Sequence, residues 1–97
     1  MTSHSFHSEA ETELQEGVSY YEGCSEGLGL DFALEVHAAV QRIREYPTAW
    51  PVLERGVRRC QTKRFPYGVV YSIESDSVLI LAIMHLHRRP DYWQRRL

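Results

Sequence analysis

Histidine and arginine side chains cluster near the end of the chain, in the stretch MHLHRRPDYWQRR at residues 84–96. His85 and His87 are one residue apart, so in a β-strand both side chains would point to the same face. Such a pair could begin a metal site with His4 or His7 as a third ligand, but no cysteine or carboxylate follows at ligand spacing. We therefore expect no metal and no cofactor, and a structural or auxiliary role for His85 and His87.

A phosphate-binding surface is the second chemistry that this stretch could support. Arg88 and Arg89 follow the histidines, and an earlier stretch carries a second basic group, made up of Arg59, Lys63 and Arg64. Guanidinium groups bind phosphate in a bidentate manner and stay charged at any pH. Antiparallel packing of the two stretches would bring these cations together.

Two aromatic residues, Tyr92 and Trp93, accompany the basic residues of the C-terminal stretch. Aromatic side chains can stack on nucleotide bases, or they can fold back onto a sheet and anchor the end of the chain. For Trp93 the anchoring role is favoured, whereas for Tyr92 both interpretations stay open.

The charges divide unevenly along the chain. Residues 1–46 carry nine acidic and two basic residues, a net charge of −7, whereas residues 47–97 carry nine basic and four acidic residues, a net charge of +5. The second half could therefore offer a basic surface to an acidic partner. The simpler interpretation is that an acidic helical face and a basic sheet face are both solvated, and the acidic run is mostly of that kind.

Several other classes of protein are disfavoured. Cys24 and Cys60 lack the context that activates a thiol, so we expect two unpaired thiols and no nucleophilic catalysis. No phosphate-binding glycine loop is present, and no apolar run reaches the roughly 20 residues that a membrane helix needs. The polar start is not a secretory signal. We expect one domain, residues 1–97, in the cytoplasm, with no membrane partner.

Helical patterns occupy the first half of the sequence. After a short possible strand, SHSFH, the sequence predicts a helix at about residues 8–23, beginning at a capping box formed by Ser8 and Glu11. A second helix is predicted with Asp31 as its N-cap, and Pro47 ends it. The two helices should pair as a hairpin.

Strand patterns occupy the second half. Residues 47–56 are predicted to form a loop, and residues 57–65, 68–74 and 77–85 to form strands, the last two joined by a tight turn at Ser75-Asp76. The order β-α-α-β-β-β predicts an α+β fold in which a helical hairpin covers one face of a small antiparallel sheet. The other face of the sheet is expected to be open.

Three stretches resemble the RelE/ParE superfamily of small bacterial toxins, often called plasmid stabilisation proteins. They are EAETELQEGVSYYE, GLGLDFALEVHAAVQRIREYPTAWPVL and KRFPYGVVYSIESDSVLILAIMHLHRRPDYWQRR. The most specific parts are RFPYGVVYSI and HLHRRPDYW, and the resemblance covers nearly the whole chain. It implies the toxin half of a type II toxin–antitoxin system, which inhibits growth and is wrapped by a cognate antitoxin. A homodimer or a toxin–antitoxin hetero-oligomer is also implied.

The resemblance leaves two activities open. A RelE-like toxin would cleave messenger RNA in the ribosome without metal, and the candidate catalytic residues would be Arg59, Lys63, Arg64, Arg88 and Tyr92. Charge on the phosphate would be stabilised by the cations, and Tyr92 could move protons if nearby guanidiniums lowered its pKa. RelE-like nucleases carry an arginine just after the aromatic residue of the middle strand, where this chain has Gly68.

A ParE-like toxin would instead poison DNA gyrase and would need no catalytic residues. The candidate target-binding residues are then Arg88, Arg89, Tyr92 and Trp93. Because the arginine of the nucleases is replaced by Gly68, the sequence favours the gyrase hypothesis over ribosome-dependent RNA cleavage. A third hypothesis is an inactive relative that only binds the antitoxin and co-represses its own operon.

Overall fold

The computed structural model of the chain describes residues 2–97, in which two helices precede most of a five-stranded sheet. The elements are β1 (Ser3–Phe6), α1 (Ser8–Cys24), α2 (Leu28–Glu45), β2 (Val52–Glu54), β3 (Val57–Gln61), β4 (Tyr67–Glu74), β5 (Ser77–His85) and a 3₁₀ turn (Gln94–Arg96). The predicted α+β class with a helical hairpin is confirmed. Within residues 2–97, no helix is long and apolar enough to cross a membrane.

Strand β2 lies in the segment that the sequence predicted to be a loop. It pairs with β3 across a tight turn in which Arg55 and Gly56 both have left-handed backbone angles, with φ of 53° and 77°. The strand has only three residues and all of them are exposed, so no alternation of buried and exposed side chains marked it in the sequence.

The strands lie in the order β1-β5-β4-β3-β2. The sequence predicted an antiparallel sheet, but the observed sheet contains one parallel pair. Strand β1 pairs with β5 in parallel, from Ser3 opposite Ser77 to Phe6 opposite Ile80. The remaining neighbours are antiparallel. Because β1 ends opposite Ile80, it leaves the second half of this edge of β5 without a neighbouring strand.

Helix α1 begins at Ser8, but the predicted capping box does not form. The N-cap is His7, whose side-chain Nδ1 accepts a hydrogen bond of 3.1 Å from the backbone N–H of Glu9. An imidazole nitrogen can satisfy a free N–H of the first turn as a serine hydroxyl does, so the histidine replaces Ser8 in this role.

Helix α2 begins at Leu28, one turn before the predicted N-cap Asp31. Gly27 adopts a left-handed conformation with φ of 86°, which favours glycine. The Glu22 carboxylate, on the preceding helix, accepts hydrogen bonds from the N–H groups of Gly27 and Gly29. A side chain five to seven residues upstream therefore caps α2.

The helical hairpin packs on one face of the sheet through an aromatic cluster. The Phe32 ring is fully buried, and its centroid lies within 5.3 Å of those of Tyr21, Phe65 and Tyr67. A β-carbon on Gly17 would lie 2.5 Å from the Phe32 ring, so the absence of a side chain there allows α1 and α2 to approach each other.

The opposite face of the sheet is covered, contrary to the expectation that it is open. A second apolar cluster lies there and includes side chains from the end of the chain. Its members are Val57, Val70, Leu81, Ala82, Met84, Tyr92 and Trp93. These strands carry apolar side chains on this face as well, because the C-terminal part of the chain folds back and covers it.

Tyr71 gives the fold a testable pH dependence. Its hydroxyl donates a hydrogen bond to the Pro47 backbone carbonyl, and burial raises its pKa to about 12. Since the folded form retains this proton to higher pH than the unfolded form, stability is fully present below pH ~10 and falls as the pH rises towards 12. We expect the free energy of unfolding, measured in urea from pH 9 to 12, to fall less steeply in Tyr71→Phe. Equal slopes in the two proteins would contradict this assignment.

Candidate functional site

The C-terminal segment, residues 86–97, is held against the sheet at both of its ends. The Leu86 N–H donates to the Pro66 carbonyl at 2.9 Å, which fixes the point where the segment leaves β5. Further on, Trp93 is 1% exposed and Tyr92 is 8% exposed, both against the second apolar cluster. Trp93 thus anchors the segment, the role that the sequence favoured, and presents almost no surface to a target.

Glu13 connects this segment to helix α1 and to the free edge of β5. Its carboxylate accepts hydrogen bonds from Arg96 Nη1 and Nη2 at 3.0 and 2.9 Å, and from the backbone N–H of Ile83 at 3.0 Å. Arg96 also donates to the Leu81 carbonyl at 2.8 Å. The ion pair therefore satisfies the backbone groups of β5 beyond the end of β1, where no strand is present to do so.

The Glu13–Arg96 pair is also shielded from solvent. The side chain of Arg96 is 3% exposed and that of Glu13 is 9% exposed, so both charges lie in a region of low dielectric. The hydrogen bond to Glu13 raises the pKa of Arg96 above its ordinary value. Because neither side chain is exposed, this pair is a fixed part of the fold rather than a mobile surface contact.

Two guanidinium groups lie close to the Tyr92 ring. The Arg88 guanidinium is 3.7 Å and that of Arg96 is 5.0 Å from the centre of its ring. Burial, followed by the neighbouring Glu13 carboxylate, nevertheless raises the pKa of Tyr92 well above its ordinary value, against the smaller opposite effect of the two arginines. The condition for proton transfer by Tyr92, a lowered pKa, is therefore not met in this structure.

The remaining arginines of the segment reach solvent but are paired within the chain. Arg88 contacts Glu13 at 3.5 Å, Arg89 contacts Asp91 at 3.1 Å, and Arg95 contacts Glu9 at 2.9 Å. Their side chains are 53%, 79% and 69% exposed, respectively. The acidic run was predicted to be mostly a solvated face, and Glu13 departs from that prediction because its side chain is 9% exposed, whereas that of Glu9 is 43% exposed.

The second basic group, Arg59, Lys63 and Arg64, lies in different surroundings. The Glu35 carboxylate accepts hydrogen bonds from the backbone N–H groups of Lys63 and Arg64, and Arg64 pairs with Asp31 at 3.6 Å. Both acids belong to α2, whereas the acids that bind the C-terminal arginines belong to α1 or to that segment itself. The structure thus provides two basic regions, each with its own acidic partners.

Arg59 lies directly over Gly68 on the neighbouring strand. A β-carbon on Gly68 would come within 2.7 Å of Arg59 Cδ and 2.8 Å of its Cγ. The Arg59 side chain thus fills the space that a side chain at position 68 would occupy. The sequence showed that RelE-like nucleases have an arginine where this chain has Gly68, but it could not show that Arg59 fills that space.

The two histidine rings contact each other edge to face, and His85 contacts the Tyr67 ring in the same way. Ring centroids are 5.1 Å apart both between His85 and His87 and between His85 and Tyr67, and His85 Nδ1 accepts a hydrogen bond from the His87 N–H. Among residues 2–97, no group of three histidine, cysteine, aspartate or glutamate side chains is placed to bind a metal.

Sequence reasoning missed Glu13, Glu9 and Arg96 as parts of this site. Glu13 carried a usable signal, because it lies three residues after Ala10 and four before Gly17, both buried on α1. A charged residue on a buried helical stripe needs a partner of opposite charge. The sequence did not identify that partner, which lies 83 residues away.

Comparison with known proteins agrees with this architecture. Residues 5–90 match the family model described as "ParE toxin of type II toxin-antitoxin system, parDE". A solved structure described as "Chromosomal ParDE TA system from P. aeruginosa" superposes with a TM-score of 0.76 at 18% identity, over 90% of this chain and 98% of that one. No curated protein sequence gives a significant match.

The fold is therefore that of the small α+β toxins of type II toxin–antitoxin systems. The chain belongs to the ParE toxin family. Membership implies a cognate antitoxin as its partner.

Proposed function

We propose that the chain poisons DNA gyrase in the cytoplasm and that the exposed arginines of the C-terminal segment contact the gyrase–DNA complex. Family membership supports this target class. The segment supplies a suitable surface, because Arg88 and Arg89 project into solvent from a base that Tyr92 and Trp93 anchor in the sheet. In this proposal the two aromatic residues act by positioning the arginines and do not touch the target.

The observation that carries the proposal is the state of Tyr92. A RelE-like mechanism assigns proton transfer to this residue, yet its hydroxyl is buried and its pKa is raised. A general acid or base works best when its pKa lies near the operating pH and when it reaches the substrate. A gyrase poison needs neither property, so the geometry favours a binding surface over a nuclease site.

Arg89→Glu tests the proposed surface. Arg89 is 79% exposed and, within residues 2–97, pairs only with Asp91, so the change should leave the free energy of unfolding within about 0.5 kcal/mol. We expect purified wild-type protein to trap gyrase-cleaved plasmid DNA. Arg89→Glu should need about tenfold more protein, because a charge at an exposed contact is reversed.

Arg55→Glu is the matched control, since Arg55 is an exposed arginine in the turn between β2 and β3, outside the C-terminal segment. It should behave as wild type. If wild-type protein leaves supercoiling untouched and traps no cleaved DNA, the gyrase proposal is wrong.

Ribosome-dependent RNA cleavage is kept as a second candidate because Arg59 fills the space over Gly68. An arginine from β3 would then supply the charge that RelE-like enzymes obtain from the middle strand. Translating ribosomes incubated with the protein should show new messenger RNA ends if this candidate is correct. An inactive co-repressor would give neither result, and its expression without antitoxin would not arrest growth.

A further inference from the structure

A small cavity lies between helix α1 and the free edge of β5, beyond the point where β1 ends. It has a volume of about 250 Å³. Its polar and aromatic lining consists of Glu13, Glu16 and Tyr20 on α1, Tyr67 on β4, and His85 and Arg88 at and after the end of β5. Pockets for drug-sized molecules are larger, so a cavity of this size suits a head group with a few attached carbons.

Glu16 supplies an unpaired negative charge to this cavity. It lies one helical turn after Glu13, which is paired with Arg96 at 2.9 Å and with Arg88 at 3.5 Å. Among residues 2–97, no cation lies within 4.0 Å of the Glu16 carboxylate. The Glu16 end of the cavity is therefore its negative end.

Aromatic rings form the walls next to the carboxylates. Tyr67 and His85 contact each other edge to face with ring centroids 5.1 Å apart, and Tyr20 on the α1 wall is 65% exposed. Burial, followed by nearby tyrosines and then by the Glu13 and Glu16 carboxylates, raises the pKa of Tyr67. Negative charge thus acts on its hydroxyl. Aromatic rings and a carboxylate together are suited to a guanidinium or ammonium group.

The two basic side chains of the cavity leave the charge of Glu16 uncompensated. His85 Nδ1 accepts a hydrogen bond of 3.1 Å from the His87 N–H, so the ring carries its proton on Nε2 and is neutral in this arrangement. Arg88 is directed towards Tyr92, since its guanidinium lies 3.7 Å from the centre of that ring. The Glu16 carboxylate is thus left for a ligand.

We propose that this cavity binds the guanidinium or primary ammonium head of a small organic cation, with Glu16 as the counter-charge. The head packs against the rings of Tyr20 and Tyr67, and the rest of the ligand extends into solvent past Tyr20. This binding does not depend on which target the toxin has.

An organic cation fits the cavity better than a metal ion or an anion does. Among residues 2–97, no group of three histidine, cysteine, aspartate or glutamate side chains is placed to bind a metal. An anion would be repelled by Glu16, and the guanidinium of Arg88 already has a carboxylate partner. The chain uses the proposed chemistry internally, since this guanidinium contacts both the Glu13 carboxylate and the Tyr92 ring.

Titration of the free toxin with methylguanidinium chloride at constant ionic strength, followed by NMR, tests the site. We expect saturable shifts of the Tyr67 and His85 resonances. Glu16→Gln should weaken binding about tenfold, because a charged partner is lost at an exposed position that the fold does not need. Tyr20→Ala should weaken it about threefold, because one aromatic wall is removed.

Glu11→Gln is the matched control, since Glu11 is an exposed glutamate of the same helix that does not line the cavity. Its affinity should change by less than about twofold. Equal affinities of Glu11→Gln and Glu16→Gln would overturn the proposal, and so would an absence of saturable shifts or the same shifts with sodium chloride.

Parallel titrations with spermidine and with inorganic phosphate identify the class of ligand. Tighter binding of spermidine would assign the cavity to polyamines, and tighter binding of methylguanidinium would assign it to guanidinium compounds. Saturable binding of phosphate in place of either cation would overturn the proposal. Because these titrations contain neither gyrase nor ribosomes, their outcome and that of the gyrase assay can fail separately.

Discussion

Glu13→Gln is expected to lower the free energy of unfolding by about 3–5 kcal/mol, because it leaves the buried Arg96 guanidinium without its main counter-charge. The carboxylate receives two hydrogen bonds from Arg96 and one from the Ile83 N–H, and a neutral amide cannot accept all of them. A domain of this size has a total stability of roughly 5–15 kcal/mol, so the loss is a large part of the whole.

Urea denaturation followed by circular dichroism measures this loss, and Glu16→Gln is the matched control. Glu16 lies on the same helix, is exposed and should change stability by less than about 0.5 kcal/mol. The double variant with Arg96→Met should lose less than the sum of the single variants, since the two side chains act as a pair. Strict additivity, or a Glu13→Gln protein as stable as the control, would show that the ion pair does not hold the segment.

Trp93→Ala is also expected to lower the free energy of unfolding by about 3–5 kcal/mol, but for a different reason. The indole is 1% exposed and fills the apolar cluster between the sheet and the C-terminal segment, so its removal leaves a cavity that the neighbouring side chains cannot close. The loss corresponds to a fall of about 4–8 °C in melting temperature for each kcal/mol in a domain of this size.

Leu97→Ala serves as the control for Trp93→Ala, because it truncates an apolar side chain of the same segment that is 48% exposed. Limited trypsin digestion adds a second readout, since the Arg88–Arg89 bond should be cut faster once the anchor is lost. If Trp93→Ala has the same melting temperature as Leu97→Ala and resists trypsin as the wild-type protein does, this residue does not anchor the segment.

The sequence predicted most of the fold because the strong patterns were local. The β5 strand at residues 77–85 was predicted with its observed ends, and α1 was predicted within one residue at its end. Apolar periodicity determines such elements, and periodicity can be read from neighbouring residues. The short edge strand β2 has no buried face, so the same criterion could not find it.

The helix starts were less predictable because their caps involve residues outside the usual set. Glu22 caps α2 from the previous helix, and His7 caps α1 where Ser8 was expected. Both caps depend on the path of the chain just before each helix, and the local sequence pattern does not determine that path. A capping-box pattern indicates that a helix begins nearby and says less about which side chain binds its first N–H groups.

The candidate site was predicted in part. The sequence located both basic groups and suggested that Trp93 is structural, but it treated the arginines as free. The pairing of Arg96 with Glu13 and of Arg95 with Glu9 joins residues more than 80 positions apart, and such contacts appear only once the sheet edge and the helix have been positioned. The sequence left the direction of the Tyr92 pKa shift open for the same reason, since burial rather than the nearby arginines determines it.

The most direct test of the proposed function follows DNA and protein synthesis in parallel by pulse labelling, within minutes of inducing this chain alone in a bacterial host. A gyrase poison should stop DNA synthesis first, with protein synthesis falling later, and Arg89→Glu should weaken the effect. If protein synthesis stops first, the ribosome is the target, and Arg59 above Gly68 becomes the centre of a nuclease site.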